Sequence, residues 1–75
     1  VPNNPAVERV AANVRAELAR KGISQTELAA KLDVSQPFIS RRLLARVPFD
    51  VAELAGIAEI LDIPMSVLVA AEVAA

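Results

Sequence analysis

The stretch Gly22-Ile23-Ser24-Gln25-Thr26-Glu27-Leu28-Ala29-Ala30-Lys31-Leu32-Asp33-Val34-Ser35-Gln36-Pro37-Phe38-Ile39-Ser40-Arg41-Arg42-Leu43 decides the fold. Gly22 is a natural helix stop, because glycine adopts the left-handed conformation that closes a helix without a Cβ clash. Ser24 through Glu27 then has the spacing of a capping box, with Ile23 and Leu28 placed to form a hydrophobic staple across it. A second helix is expected over about 25–32. Asp33 follows, and Ser35 is the next cap; Pro37 is tolerated in the first turn, where backbone amides have no intrahelical acceptor. A third helix is expected over about 36–43. Helices this short do not stand alone in water. Their apolar positions Leu28, Leu32, Val34 and Ile39 point to a common core, and Ala29 is small where a crossing helix needs close approach. Two short helices joined by a tight turn in this way form a helix-turn-helix. Gln36, Ser40, Arg41 and Arg42 are left on the third helix, and these are side-chain types that read base edges and phosphates.

Helix signals continue on both sides. Asn4 followed by Pro5 is an N-cap with proline at the first helical position, and Val7, Val10, Ala11, Val14 and Leu18 recur on one face before Arg20 and Lys21 in the last turn. Downstream, Arg46-Val47-Pro48 reads as a loop. Asp50 and Glu53 form a second capping box, stapled by Phe49 and Leu54, for a fourth helix over about 51–61. Pro64 opens a fifth helix carrying Met65, Leu68 and Val69, with continuation towards Val73 or fraying among the terminal alanines as its two endings. No strand pattern, repeat or Gly/Ser linker interrupts the series. The fold class is therefore all-α with five helices: residues 1–4 as a flexible N-terminal arm, and residues 5–75 as one helical domain.

Composition narrows the function. Of 75 residues 55% are hydrophobic, but 15 are Ala, so the larger apolar side chains suffice for one small core. There is no Cys, His, Trp or Tyr. Thiolate metal sites, disulfides, thiol nucleophiles and the usual general base near neutral pH are thus absent from the chain, and the serines have no evident activating partner. Ser24 and Ser35 are already accounted for as caps. No catalytic residue, cofactor site or metal site is expected. No apolar run approaches the roughly 18 residues of a membrane span, so a cytoplasmic protein without membrane contact is expected. The net charge of −1 conceals a division at Arg46. Residues 1–46 hold all eight basic side chains against four carboxylates, whereas residues 47–75 hold five carboxylates and no cation. Such a division suits a basic face turned to an anionic partner.

From Asn13 to Val69 the chain resembles the Cro/CI-like, or lambda-repressor-like, helix-turn-helix domains. The resemblance rests on Gly22 to Ala29, on Val34 to Arg41, on Leu54 through Leu61, and on Ile63-Pro64. It implies a five-helix lambda-repressor-like fold and sequence-specific binding of double-stranded operator DNA as a transcriptional regulator, most simply a repressor, with the third helix in the major groove. Carried over by position, it implies that Gln25 touches the DNA backbone or an outer base. Ser35, Gln36, Pro37, Ser40 and Arg41 would face bases or adjacent phosphates, and Arg42 and Arg46 would suit phosphates. Phe38 has two readings, a plug against the second helix or an apolar contact to a thymine methyl. The run from Ser35 to Leu43 followed by Val47 to Val51 looks most like immunity repressors of actinobacterial phages.

The chain departs from the usual pattern in three places. Asp33 and Asp62 stand where glycine is usual, in positions of left-handed geometry that Asp tolerates better than most residues. Leu43-Leu44-Ala45 replaces a common Glu-x-Gly, which suggests a different path towards the fourth helix. Leu18 and Leu43 occupy the positions of a partly buried Arg–Glu pair in many relatives, and an apolar pair of suitable volume can replace such a bridge at little cost. They are expected to touch. The competing class is a protein-interaction module such as an antitoxin, using the apolar C-terminal helix with Val67, Val69 and Val73. A homodimer, with Gly56 and Ile60 as interface candidates, and an additional C-terminal domain both remain open.

Overall fold

The computed structural model describes residues 4–71 and builds them into α1 (Pro5–Lys21), α2 (Gln25–Leu32), α3 (Gln36–Leu43), α4 (Val51–Leu61) and α5 (Met65–Leu68). The all-α, lambda-repressor-like reading holds, and no strand occurs among the described residues. Residues 1–3 of the expected arm, and Val73 of the expected fifth-helix extension, lie outside the described residues. Asn4, counted with the arm, is the cap of α1: its Oδ1 accepts from Ala6 N at 2.9 Å.

The N-termini of α1 to α4 are closed by side chains. Ser24 Oγ accepts from Glu27 N at 3.1 Å, Ser35 Oγ from Phe38 N at 3.2 Å, and Asp50 Oδ1 from Glu53 N at 2.7 Å. Only α4 completes the reciprocal box, through Asp50 N donating to Glu53 Oε1 at 3.0 Å. The box expected at Ser24–Glu27 is present in its serine half. Pro64 caps α5 from outside the helix rather than occupying its first turn, and α5 is four residues long.

The C-termini of α1 to α4 share one device. The residue after each C-terminal turn is left-handed: Gly22 (φ 67), Asp33 (φ 58), Ala45 (φ 60) and Asp62 (φ 55). Each is followed by an amide that reaches back five residues: Ile23 N to Leu18 O, Val34 N to Ala29 O, Arg46 N to Arg41 O, and Ile63 N to Ala58 O, all at 2.9 to 3.0 Å. This is the Schellman closure, in which an apolar contact commonly joins the two linked residues. Leu18–Ile23, Ala29–Val34 and Ala58–Ile63 are apolar pairs whose members lie in the core or pack against it; Arg41–Arg46 is not. After α3, Ala45, at the glycine position of the usual pattern, itself adopts the left-handed conformation for which a glycine is ordinarily used.

The caps turn the five helices around one cluster containing Val14, Leu18, Leu28, Ala29, Ile39, Leu43, Leu54, Ile57, Leu61 and Leu68. Leu18 and Leu43 are both within it, 5% and 1% exposed. Polar ties bind the rim. Asn13, itself buried, donates through Nδ2 to the carbonyls of Leu68 and Ala70 at 3.1 Å each, fastening α1 to the end of α5. Arg15 Nη1 donates to Leu43 O at the end of α3, where a cation also meets the negative pole of the helix dipole. Glu17, buried on α1, pairs with Arg20 one turn on. Gly56 and Ile60, the interface candidates, have packing partners within the domain: a Cβ on Gly56 would lie 3.2 Å from Leu32 Cδ2, and the partly buried Ile60 packs against the core. The glycine thus lets α4 approach α2.

Candidate nucleic-acid interface

Helix α3 sits with Ile39 fully buried, and this orientation sorts its remaining side chains. At about 100° per residue, Ser40, Pro37 and Arg41 lie roughly 100° to 200° from Ile39 on the outward arc, Gln36 about 60° to one side, and Arg42 and Phe38 on the other flank. Burial agrees: Gln36, Pro37 and Arg41 are exposed, whereas Ser40, Phe38 and Arg42 are half-buried. Ser35 is exposed at the head of the helix, with its hydroxyl committed to the cap.

The leading ends of α2 and α3 are tied together. Gln36 Nε2 donates to Gln25 Oε1 at 3.3 Å, so the two amide side chains form one polar edge across the helix-turn-helix. Gln25 still has its Nε2 donors to offer outward, and Gln36 its Oε1 acceptor. The pair presents both kinds of hydrogen-bonding group to whatever approaches.

Arg41 and Arg46 are exposed and form no ion pair among the described residues. The Schellman closure joins them through Arg46 N and Arg41 O at 2.9 Å, placing two cations at the trailing end of α3. Arg42, which the resemblance assigned to a phosphate, is engaged within the domain. Arg42 Nε donates to both carboxylate oxygens of Glu53 at 2.9 and 3.1 Å, its guanidinium lies 3.5 Å from the centre of the Phe38 ring, and its side chain is 15% exposed. Glu53 approaches from the first turn of α4, a partner that no local pattern around α3 could announce. Phe38 is packed against the core at its inner edge and covered by Arg42 on one face, and it also lines a cleft with Leu32, Val34 and Ala52.

Among the described residues no group of His, Cys, Asp or Glu is arranged to hold a metal ion, and no helix is long and apolar enough to cross a membrane. The chain matches the Cro/CI-type helix-turn-helix family over residues 14–68. It belongs to that family. The match runs from the middle of α1 to the end of α5 and thus takes in the whole helix-turn-helix with its supporting helices. No curated protein matches the chain. Members of this helix-turn-helix family are DNA-binding transcription regulators, and that general role is this domain's. Val67 and Val69 of the alternative apolar surface are exposed, but the short α5 gives them no extended helical face.

Proposed function

We propose that this helix-turn-helix domain is a sequence-specific reader of double-stranded operator DNA, acting as a repressor with α3 in the major groove. The observation that carries the reading is the polar edge formed by Gln25 and Gln36, continued along α3 by Ser40 and Arg41 with Pro37 exposed among them. Gln can pair with an adenine edge, and Arg with guanine N7 and O6. Arg46 serves a phosphate, and Ser35 and Gln25 approach the backbone at the leading end. Repression needs only occupancy of the operator, which suits a domain without His or Cys to support chemistry. The likeness of the runs Ser35 to Leu43 and Val47 to Val51 to phage immunity repressors adds a lineage to this reading, and a cytoplasmic site of action goes with it.

Selection of duplexes from a random pool tests the proposal. A defined half-site should emerge, bound with an affinity that falls steeply with salt as counterions are released. Recovery of a pool no different from the input would refute sequence-specific reading. One half-site or two in the selected duplex distinguishes a monomeric reader from a dimer, whose half-sites fall about one helical turn apart.

A further inference from the structure

Three arginines lie at or just beyond the second half of α3, and the structure treats one of them differently. Arg41 and Arg46 are exposed and unpaired among the described residues, while the Arg42 side chain is 15% exposed and bonded to Glu53. Glu53 is engaged on two sides. Its Oε1 accepts from Asp50 N at 3.0 Å, completing the box that starts α4, and the same carboxylate receives Arg42 Nε. Arg42 is held from three directions: by Glu53, by the Phe38 ring beneath it, and by the Phe38 carbonyl, which accepts from Nη1 at 3.4 Å. The contacts form a chain from the N-terminus of α4 through Glu53 and Arg42 to Phe38, one turn back along α3. A charge neutralised in this way contributes little net attraction to a polyanion, but a planar guanidinium gripped at an edge and a face fixes geometry well.

We propose that Glu53 is a positioning residue for DNA reading: it holds Arg42 flat on Phe38, and this brace between α4 and α3 is what Arg42 contributes to binding, in place of a phosphate contact. The inference rests on the proposed role of α3 as the reading helix. It assigns to the acidic half of the chain a part in sequence discrimination, and it leaves Arg41 and Arg46 as the cations of α3 and its closing turn that are free to meet DNA.

Lysine tells the two roles apart. It keeps the charge but lacks the planar fork that stacks and bonds at once. The test measures binding of the parent, Arg42→Lys, Arg42→Ala, Glu53→Gln and the double variant Arg42→Ala with Glu53→Gln to the selected duplex and to a random duplex across a range of salt. Active fractions come from stoichiometric titration, and helical circular dichroism confirms the fold; Gln at position 53 retains a capping-box acceptor. The expected result is that Arg42→Lys and Arg42→Ala lose affinity for the selected duplex alike, by roughly three- to thirtyfold. Affinity for the random duplex and both salt slopes stay unchanged. Glu53→Gln lowers the same discrimination, and adds nothing in the Arg42→Ala background. If Arg42→Lys binds like the parent while Arg42→Ala flattens the slope by about one unit, Arg42 meets a phosphate and the proposal fails. Unchanged discrimination in Arg42→Ala and Glu53→Gln overturns it equally. A parent that binds no duplex at all would instead refute the DNA-reading role itself.

Discussion

Ala45 carries a backbone conformation that its side chain opposes. At φ 60 its Cβ meets the strain that makes left-handed residues mostly glycine, at a cost of roughly 1 kcal/mol. Replacing Ala45 by Gly should stabilise the domain by somewhat under that amount, since glycine also gains freedom in the unfolded chain; a rise in the thermal midpoint checks it. Asp33 is similar but milder, with φ 58 and a short polar side chain that suits the left-handed region. Asp33→Gly should be neutral or slightly stabilising, and the β-branched Asp33→Val should destabilise by about 1 to 2 kcal/mol in denaturant unfolding. These two positions were not equally legible. Asp33 falls between two capped helices and advertises its turn, whereas Ala45 looks like an ordinary helix former and was placed in the left-handed region only by the closure that α3 makes with Arg46.

Helices and their limits were readable where the signals are local. Ser24, Ser35 and Asp50 bond to amides three residues on, and Gly22 stops α1, so the starts of α2, α3 and α4 and the end of α1 are written next to them. The ties between helices were not readable in this way. Asn13 to the Leu68 carbonyl, Arg15 to the Leu43 carbonyl and Arg42 to Glu53 join residues far apart in sequence through geometry that exists only after packing. The core lies between these cases, because periodicity marks the buried faces but not which faces meet. Leu18 and Leu43 are both almost fully enclosed in one cluster at the packing of α1 on α3. Truncating either to Ala should cost about 2 to 4 kcal/mol by loss of burial and creation of a cavity, measurable by urea unfolding with an unchanged slope.

Across the whole molecule, the division of charge separates two tasks. The basic half carries α3 with Gln36, Arg41 and the following Arg46; the acidic half supplies Asp50 and Glu53 to cap α4, and Glu53 to hold Arg42. A net charge of −1 therefore does not argue against a nucleic-acid partner, because attraction acts over a Debye length of about 8 Å at physiological salt and so reports the near face more than the total. Within that face, the residues that attract and those that discriminate should be separable by substitution. Arg46→Ala should weaken binding to selected and random duplexes alike and flatten the salt slope by about one unit. The central claim, that α3 reads sequence through its leading end, is tested most directly by Gln36→Ala, with affinities for the selected and the random duplex measured side by side by fluorescence anisotropy. The account predicts a loss of about 1 to 3 kcal/mol on the selected duplex, relaxed preference at one base pair, and no change on the random one. Equal affinities before and after the substitution on both duplexes would contradict it.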